Sequence, residues 1–163
     1  MDGWRNALAP HVQSGRCLGL FVFNYSAALD HTGLWLGMLS GTSTRPAWHA
    51  VRDAYTGVKP APALPVPVRL EVRGLEKDWA DVAFDVTSTT PLEVSFAYNF
   101  RGAPNRAERD RVTMLESRKG ATPGTWRVRL PVVTGAIKLY GLAKDGAGNL
   151  VAATTSVVAP ATP

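Results

Sequence analysis

Ser26 and Ser40 stand on either side of Asp30 and His31, and these are the residue types of a nucleophile, its general base and the carboxylate that orients the base. A serine of that kind is presented on a sharp strand-to-helix turn. Neither serine lies in a Gly-x-Ser-x-Gly elbow, so the set reads as a coincidence of letters. The other two histidines, His11 and His49, fall in helical stretches with no second histidine four residues on and no cysteine nearby, which leaves no ligand pair for a metal. Cys17 is the only cysteine. It excludes an intrachain disulfide and any cysteine-based metal site, and inside the apolar run from Cys17 to Phe23 it reads as a small buried hydrophobe. Asp145 and Asn149 flank Gly146-Ala147-Gly148; their oxygens suit a calcium ion or a hairpin turn, and the turn is the simpler reading because a full oxygen cage is not visible. The residue types therefore assign no catalytic group, no metal and no cofactor.

The elements that would position these residues change character across Gly57 to Pro67. Pro60, Pro62, Pro65 and Pro67 fix φ and remove backbone donors, which predicts an extended, semi-rigid linker over residues 58–67. Before it, Trp4, Leu8 and Val12 recur at helical spacing and Gly15 ends that helix. A strand follows over 17–24, apolar on both alternating faces, as in a strand buried between two layers. A long loop over 24–44 leads to a second helix, with the Thr44 hydroxyl as its N-cap, Pro46 in the first turn, Trp48, Val51 and Tyr55 on one face, and Gly57 as its stop. One helix feeding such a strand is half of a β/α repeat, and so short a piece lacks partners for its buried faces.

Within that frame, Gly33-Leu34-Trp35-Leu36-Gly37 followed by Thr44-Arg45-Pro46-Ala47-Trp48-His49-Ala50-Val51 resembles the closing strand–helix unit of the cellulase-like (β/α)8 glycoside hydrolases. The resemblance covers residues 4–57 and implies that residues 1–57 are a terminal unit of a glycosidase-like barrel. Glycoside hydrolysis needs two carboxylates flanking the scissile bond, about 5–5.5 Å apart for retention and about 6.5–9.5 Å for inversion. In similar enzymes these stand at the ends of the fourth and seventh strands, and of Asp2, Asp30 and Asp53 only Asp30 would face a substrate. No catalytic pair can be assembled, so the polypeptide alone is expected not to hydrolyse glycosides. The loop after a barrel strand lies on the active-site face, so the resemblance offers Asn24, Tyr25, Asp30, His31 and Trp35 as part of a substrate-binding wall. Trp35 or Tyr25 would be the platform for a sugar ring, although the family often has a tryptophan where this chain has Asn24-Tyr25. The plainer reading is that Trp35 packs the loop and Asp30 caps a turn. The partners implied are a polysaccharide or oligosaccharide and the remainder of the barrel; the parent protein is expected to be bacterial and secreted or periplasmic, with no signal peptide in these residues.

Past the linker, period-2 alternation recurs at Val68–Arg73, Val82–Val86, Leu92–Tyr98, Val112–Met114, Trp126–Leu130, Ile137–Tyr140 and Val151–Val157. Seven such strands broken by turn residues predict an antiparallel immunoglobulin-like sandwich over 68–159, with a tail at 160–163. The stretch Ala143-Lys144-Asp145-Gly146-Ala147-Gly148-Asn149 resembles the hairpin of bacterial immunoglobulin-like and fibronectin type III-like domains. Carbohydrate-binding modules share this architecture. Trp126, in phase with Val128 and Leu130, reads as core, and Trp79 is the aromatic to test as an exposed sugar platform.

Composition bounds the rest. The net charge of +5 divides into +2 before residue 61, from five basic and three acidic residues, and +3 after it, from thirteen and ten. Neither half has the one-sign surface a nucleic-acid site requires, and the arginines from Arg101 to Arg111 are interleaved with Glu108 and Asp110. The run Cys17 to Phe23 is far short of the roughly 18–20 residues that span a bilayer. The competing reading is a self-contained binding or structural module in which residues 1–56 dock on the sandwich as a helical cap.

Overall fold

A computed structural model of the protein describes residues 10, 13–14, 39–40, 42–100, 102–103, 111–133 and 135–159. The expected strand at 17–24 and most of the loop after it lie outside these residues. The described chain is mainly β, with two packed antiparallel sheets and one short helix, consistent with an immunoglobulin-like sandwich.

A two-residue ribbon, β1 (Leu39–Ser40) and β2 (Ser43–Thr44), leads into helix α1 (Pro46–Thr56). Pro46 opens α1 where its missing N–H costs nothing, and Gly57 closes it at φ 68°, its N–H donating to the Asp53 carbonyl at 2.8 Å. The N-cap differs from the expectation. Arg45 holds that position, extended and with no side-chain cap bond, because Thr44 is engaged in β2 and its hydroxyl reaches elsewhere. The expected inward face of the helix also fails in part: Tyr55 is 61% exposed, and His49 is the buried residue of α1.

The chain then runs through β3 (Val66–Glu76), β4 (Trp79–Thr87), β5 (Leu92–Phe100), β6 (Thr113–Leu115), β7 (Ser117–Lys119), β8 (Thr125–Arg129), β9 (Gly135–Asp145) and β10 (Leu150–Ala159). One sheet has the order β10-β9-β5-β6 and the other β3-β4-β8-β7. β3 begins inside the proline-rich stretch, and Leu64 and Pro65 before it are already buried.

Eight strands build the described sandwich where the alternation predicts seven. The extra one arises at Glu116, where the chain leaves one sheet for the other: β6 pairs with β5, and β7 pairs with β8. A hydrophobic period cannot register such a crossing, because each half is only three residues long. The phase of β3 is corrected as well. A bulge between Pro67 and Arg69 turns Val68 outward, 68% exposed, while Leu70 and Val72 still pack on the core. β3 is an edge strand, the place where a sheet tolerates proline.

Ala80, Val82 and Phe84 of β4 and Val128 and Leu130 at β8 face Phe96, Ile137, Leu139, Ala143, Val151 and Val157 of the other sheet. Phe96, fully buried, meets Phe84 edge-on at 5.9 Å between centroids and Trp126 at 5.7 Å. The expected core position of Trp126 thus holds, as a half-buried wall of the interior. Gly141 lets the sheets close here: a Cβ on it would stand 3.0 Å from Leu70 Cδ1 and 3.1 Å from the Phe84 ring.

The two outer faces differ. On the β3-β4-β8-β7 side, Arg69 pairs with Asp85 and Glu71, Arg73 with Glu71, Arg127 with Glu76 and Asp81, and Arg129 with Asp78 and Glu116. The opposite sheet turns Ala97, Tyr140 and Leu142 outward, and they form a second apolar cluster with Val112, Leu150 and Ala152.

Candidate functional site

The tightest polar assembly among the described residues is the β9–β10 turn together with the start of α1. Asp145 is 4% exposed and directs its carboxylate into its own turn: Oδ1 accepts from the backbone N–H groups of Ala147 and Asn149, each at 2.9 Å, and Oδ2 accepts from the Asn149 side-chain amide at 2.7 Å. Gly148 supplies the left-handed step, φ 84°, that closes the loop. Asn149 then faces the N-terminal segment. Its Oδ1 accepts from the Thr44 hydroxyl at 2.9 Å and from His49 Nε2 at 2.7 Å, and the backbone N–H of Thr44 donates to the Gly148 carbonyl at 3.0 Å.

The amide of Asn149 can be oriented without seeing hydrogens. Its NH₂ must face the Asp145 carboxylate, which leaves its oxygen toward His49, so His49 carries its proton on Nε2. Nδ1 of the same ring is buried with no hydrogen-bond partner among the described residues. Burial pushes the Asp145 pKa up, but the hydrogen bonds from Asn149, Ala147 and Gly148 outweigh that cost and leave it below the ordinary carboxylate value. The assembly is a connector in which each of these acceptors already has its donors, and the segment forms the expected hairpin turn between β9 and β10. Among the described residues no three His, Cys, Asp or Glu side chains gather where they could hold a metal ion.

Trp79 opens β4, half-buried, between Glu76 on β3 and Arg129 on β8. The Arg118 guanidinium lies 4.4 Å from its ring centroid and that of Arg127 5.9 Å away. Arg127 sits in the ion-pair lattice and bonds Glu76 at 2.8 Å, beside Arg129, which bonds Asp78 at 2.7 Å. The hydrogen bond from Arg129 holds Asp78 below its usual pKa, and those to Asp78 and Glu116 raise that of Arg129. A sugar ring stacking on the face that Arg118 covers would first have to displace it.

Of the candidate substrate-binding residues, Trp79 alone is placed; Asn24, Tyr25, Asp30, His31 and Trp35 lie outside the described residues. Thr44 and His49 were not legible as partners of the turn. Their bonds to Asn149 span 105 and 100 residues, and no local spacing encodes a contact of that range.

No protein-family model matches the chain, and no curated protein matches it. Among solved structures it is similar to the PKD1 domain of Vibrio anguillarum Epp, with 11% identity and a TM-score of 0.36, over 61% of this chain and 96% of that one.

Proposed function

We propose that the chain is the C-terminal part of a polysaccharide-acting glycoside hydrolase: the last strand–helix unit of its barrel and an accessory β-sandwich whose role is structural, with at most weak carbohydrate binding at Trp79. The sandwich would buttress the barrel's closing helix, and chemistry would depend on carboxylates carried outside these residues. The observation that carries this reading is that the helix opening with Arg45-Pro46-Ala47-Trp48 is tied to the sandwich turn through Thr44, His49 and Asn149. A binding role for the outer face of β3-β4-β8-β7 has less support, since its charges are already paired and Trp79 lies under Arg118.

Assays of polysaccharide hydrolysis test this reading. They compare the chain alone with a polypeptide extended upstream in the same reading frame. The expected result is activity only in the extended protein. The reading fails if the upstream frame holds no strand–helix repeats with carboxylates at strand ends, or if the extended protein leaves every glycan in a broad panel intact.

The alternative, a self-contained module capped by its N-terminal segment, draws on the same Thr44 and His49 bonds. It expects one cooperative unfolding transition and resistance to protease near Pro60–Pro67. The fragment reading expects cleavage there, leaving a stable piece from about residue 64 onward.

A further inference from the structure

The paired charges on the outer face of the β3-β4-β8-β7 sheet leave little for a ligand, with one exception. Arg69, Arg73, Arg127 and Arg129 each pair with a carboxylate. The guanidinium of Arg118 meets none among the described residues and lies instead over the ring of Trp79. Register places it there. β7 ends the sheet, and its Arg118 pairs with Arg127 of β8, which pairs in turn with Asp81 of β4. Two like charges directly opposite on neighbouring strands repel. Glu76 at 2.8 Å and Asp81 at 3.3 Å offset the charge of Arg127, while that of Arg118 is offset only by the aromatic ring.

A cation over an aromatic ring is held by the ring's quadrupole and keeps its N–H donors for an acceptor. Arg118 is exposed, so those donors face solvent, and a planar fork of this kind matches a carboxylate with two parallel bonds. Arg127 converges on the same ring, 5.9 Å from its centroid, so an anion seated between the two guanidinium groups would relieve their repulsion without disturbing an existing ion pair. The surroundings narrow the kind of anion. Among the ion-paired groups of this face carboxylates outnumber guanidinium groups, which disfavours a densely charged polyanion such as a nucleic acid. The side chains of Asp81 and Glu116, 58% and 63% exposed, retain lone pairs that can accept from hydroxyl groups. One isolated negative charge on a ligand otherwise rich in hydroxyls fits both conditions, and a uronic acid residue within an oligosaccharide has that composition.

We propose that Arg118, held over Trp79 beside Arg127, is the anion contact of a binding site for acidic saccharides and takes the carboxylate of a uronic acid residue. The proposal rests on the reading that the sandwich accompanies a polysaccharide-acting protein, and it names the class of sugar. Trp79 is a positioning residue in this site: its ring holds the guanidinium in place, and the sugar does not need the ring face that Arg118 covers.

Titration calorimetry of the full chain with tetragalacturonate tests it, with neutral cellotetraose and single-stranded polyadenylate as the comparison ligands. The uronate tetramer is expected to bind, more weakly as salt is raised, and the other two to bind less tightly. Arg118→Gln should weaken uronate binding about tenfold or more, since it removes a charge-assisted contact. Lys144→Gln, the same loss of charge on the other sheet, should leave it unchanged. Trp79→Leu should weaken binding and Trp79→Phe, which keeps a ring beneath the guanidinium, should restore it; the exposed position of Arg118 keeps the test open should the Trp79 variants fail to fold. Equal affinity for the neutral and acidic tetramers, or an affinity indifferent to Arg118→Gln, overturns the inference while leaving a glycan role standing. Tighter binding of polyadenylate overturns it in favour of a nucleic acid. Absence of binding by any of the three also overturns it, and the glycoside hydrolase reading is then decided separately by the hydrolysis assays on the extended protein.

Discussion

Replacing Asn149 by alanine should uncouple the N-terminal segment from the sandwich at a calculable cost. The substitution deletes one hydrogen bond to a charged acceptor, from the Asn149 amide to Asp145 Oδ2 at 2.7 Å, and the two bonds its Oδ1 accepts, from His49 Nε2 at 2.7 Å and from the Thr44 hydroxyl at 2.9 Å. Loss of the first costs about 1.5–3 kcal/mol, and a buried donor left on His49 adds about 1–3 kcal/mol. The Asp145 Oδ1 bonds to the turn remain. The Thr44 hydroxyl, 3.3 Å from His49 Nε2, gives the histidine partial relief, so the total expected loss is about 3–5 kcal/mol. Urea unfolding at neutral pH reads it as a lower midpoint with an unchanged slope. A double-mutant cycle with His49→Ala isolates the bond that crosses between segments, with an expected coupling of about 1 kcal/mol or more. A loss under about 1 kcal/mol, or additivity within about 0.5 kcal/mol, would refute the reasoning.

Phe96→Ala removes a fully buried ring and two aromatic contacts, with an expected loss of about 3–5 kcal/mol in the same denaturation experiment. Gly141→Ala drives a methyl against Phe84 and Leu70 and should cost about 1–3 kcal/mol, read as a lower thermal midpoint; an unchanged midpoint would mean the sheets yield more easily than their contact distances suggest. The Asp145 pKa is lowered in the folded chain, so its stabilisation is complete above the unfolded value of about 3.9 and is lost as pH falls through the lower folded value. The stability difference between wild type and Asp145→Asn should therefore be flat at neutral pH and shrink in acid, and growth of the difference on acidification would contradict the sign. Arg118→Ala bares one face of Trp79, so its emission should shift to the red with a stability change of about 0.5–1 kcal/mol.

The strands were legible because each buries one face, and alternation records that directly. Pro46 and Gly57 were legible as helix ends because each answers a backbone requirement at a single position. What alternation could not carry is an event that changes its phase: the bulge that turns Val68 outward and the crossing at Glu116 both insert a step that a period of two does not count. Thr44 illustrates a second limit. Its hydroxyl next to a helix start has a local use as a cap, and a distant acceptor on Asn149 claimed it instead. Trp79 was singled out as the aromatic to test as exposed and is half-buried; the stacking of Arg118 on it depends on β7, whose three residues show no strand signal of their own.

Hairpin tips are where a polypeptide ordinarily accepts inserted tags, grafted loops or new termini, because little else depends on them. The tip from Asp145 to Asn149 is the exception here, since it is the fastening point for a segment a hundred positions away in sequence. Lengthening it would detach one part of the molecule from the other while leaving both sheets intact. An engineer seeking a permissive site is better served by the exposed bend at Ala121 to Pro123, whose side chains lie in solvent.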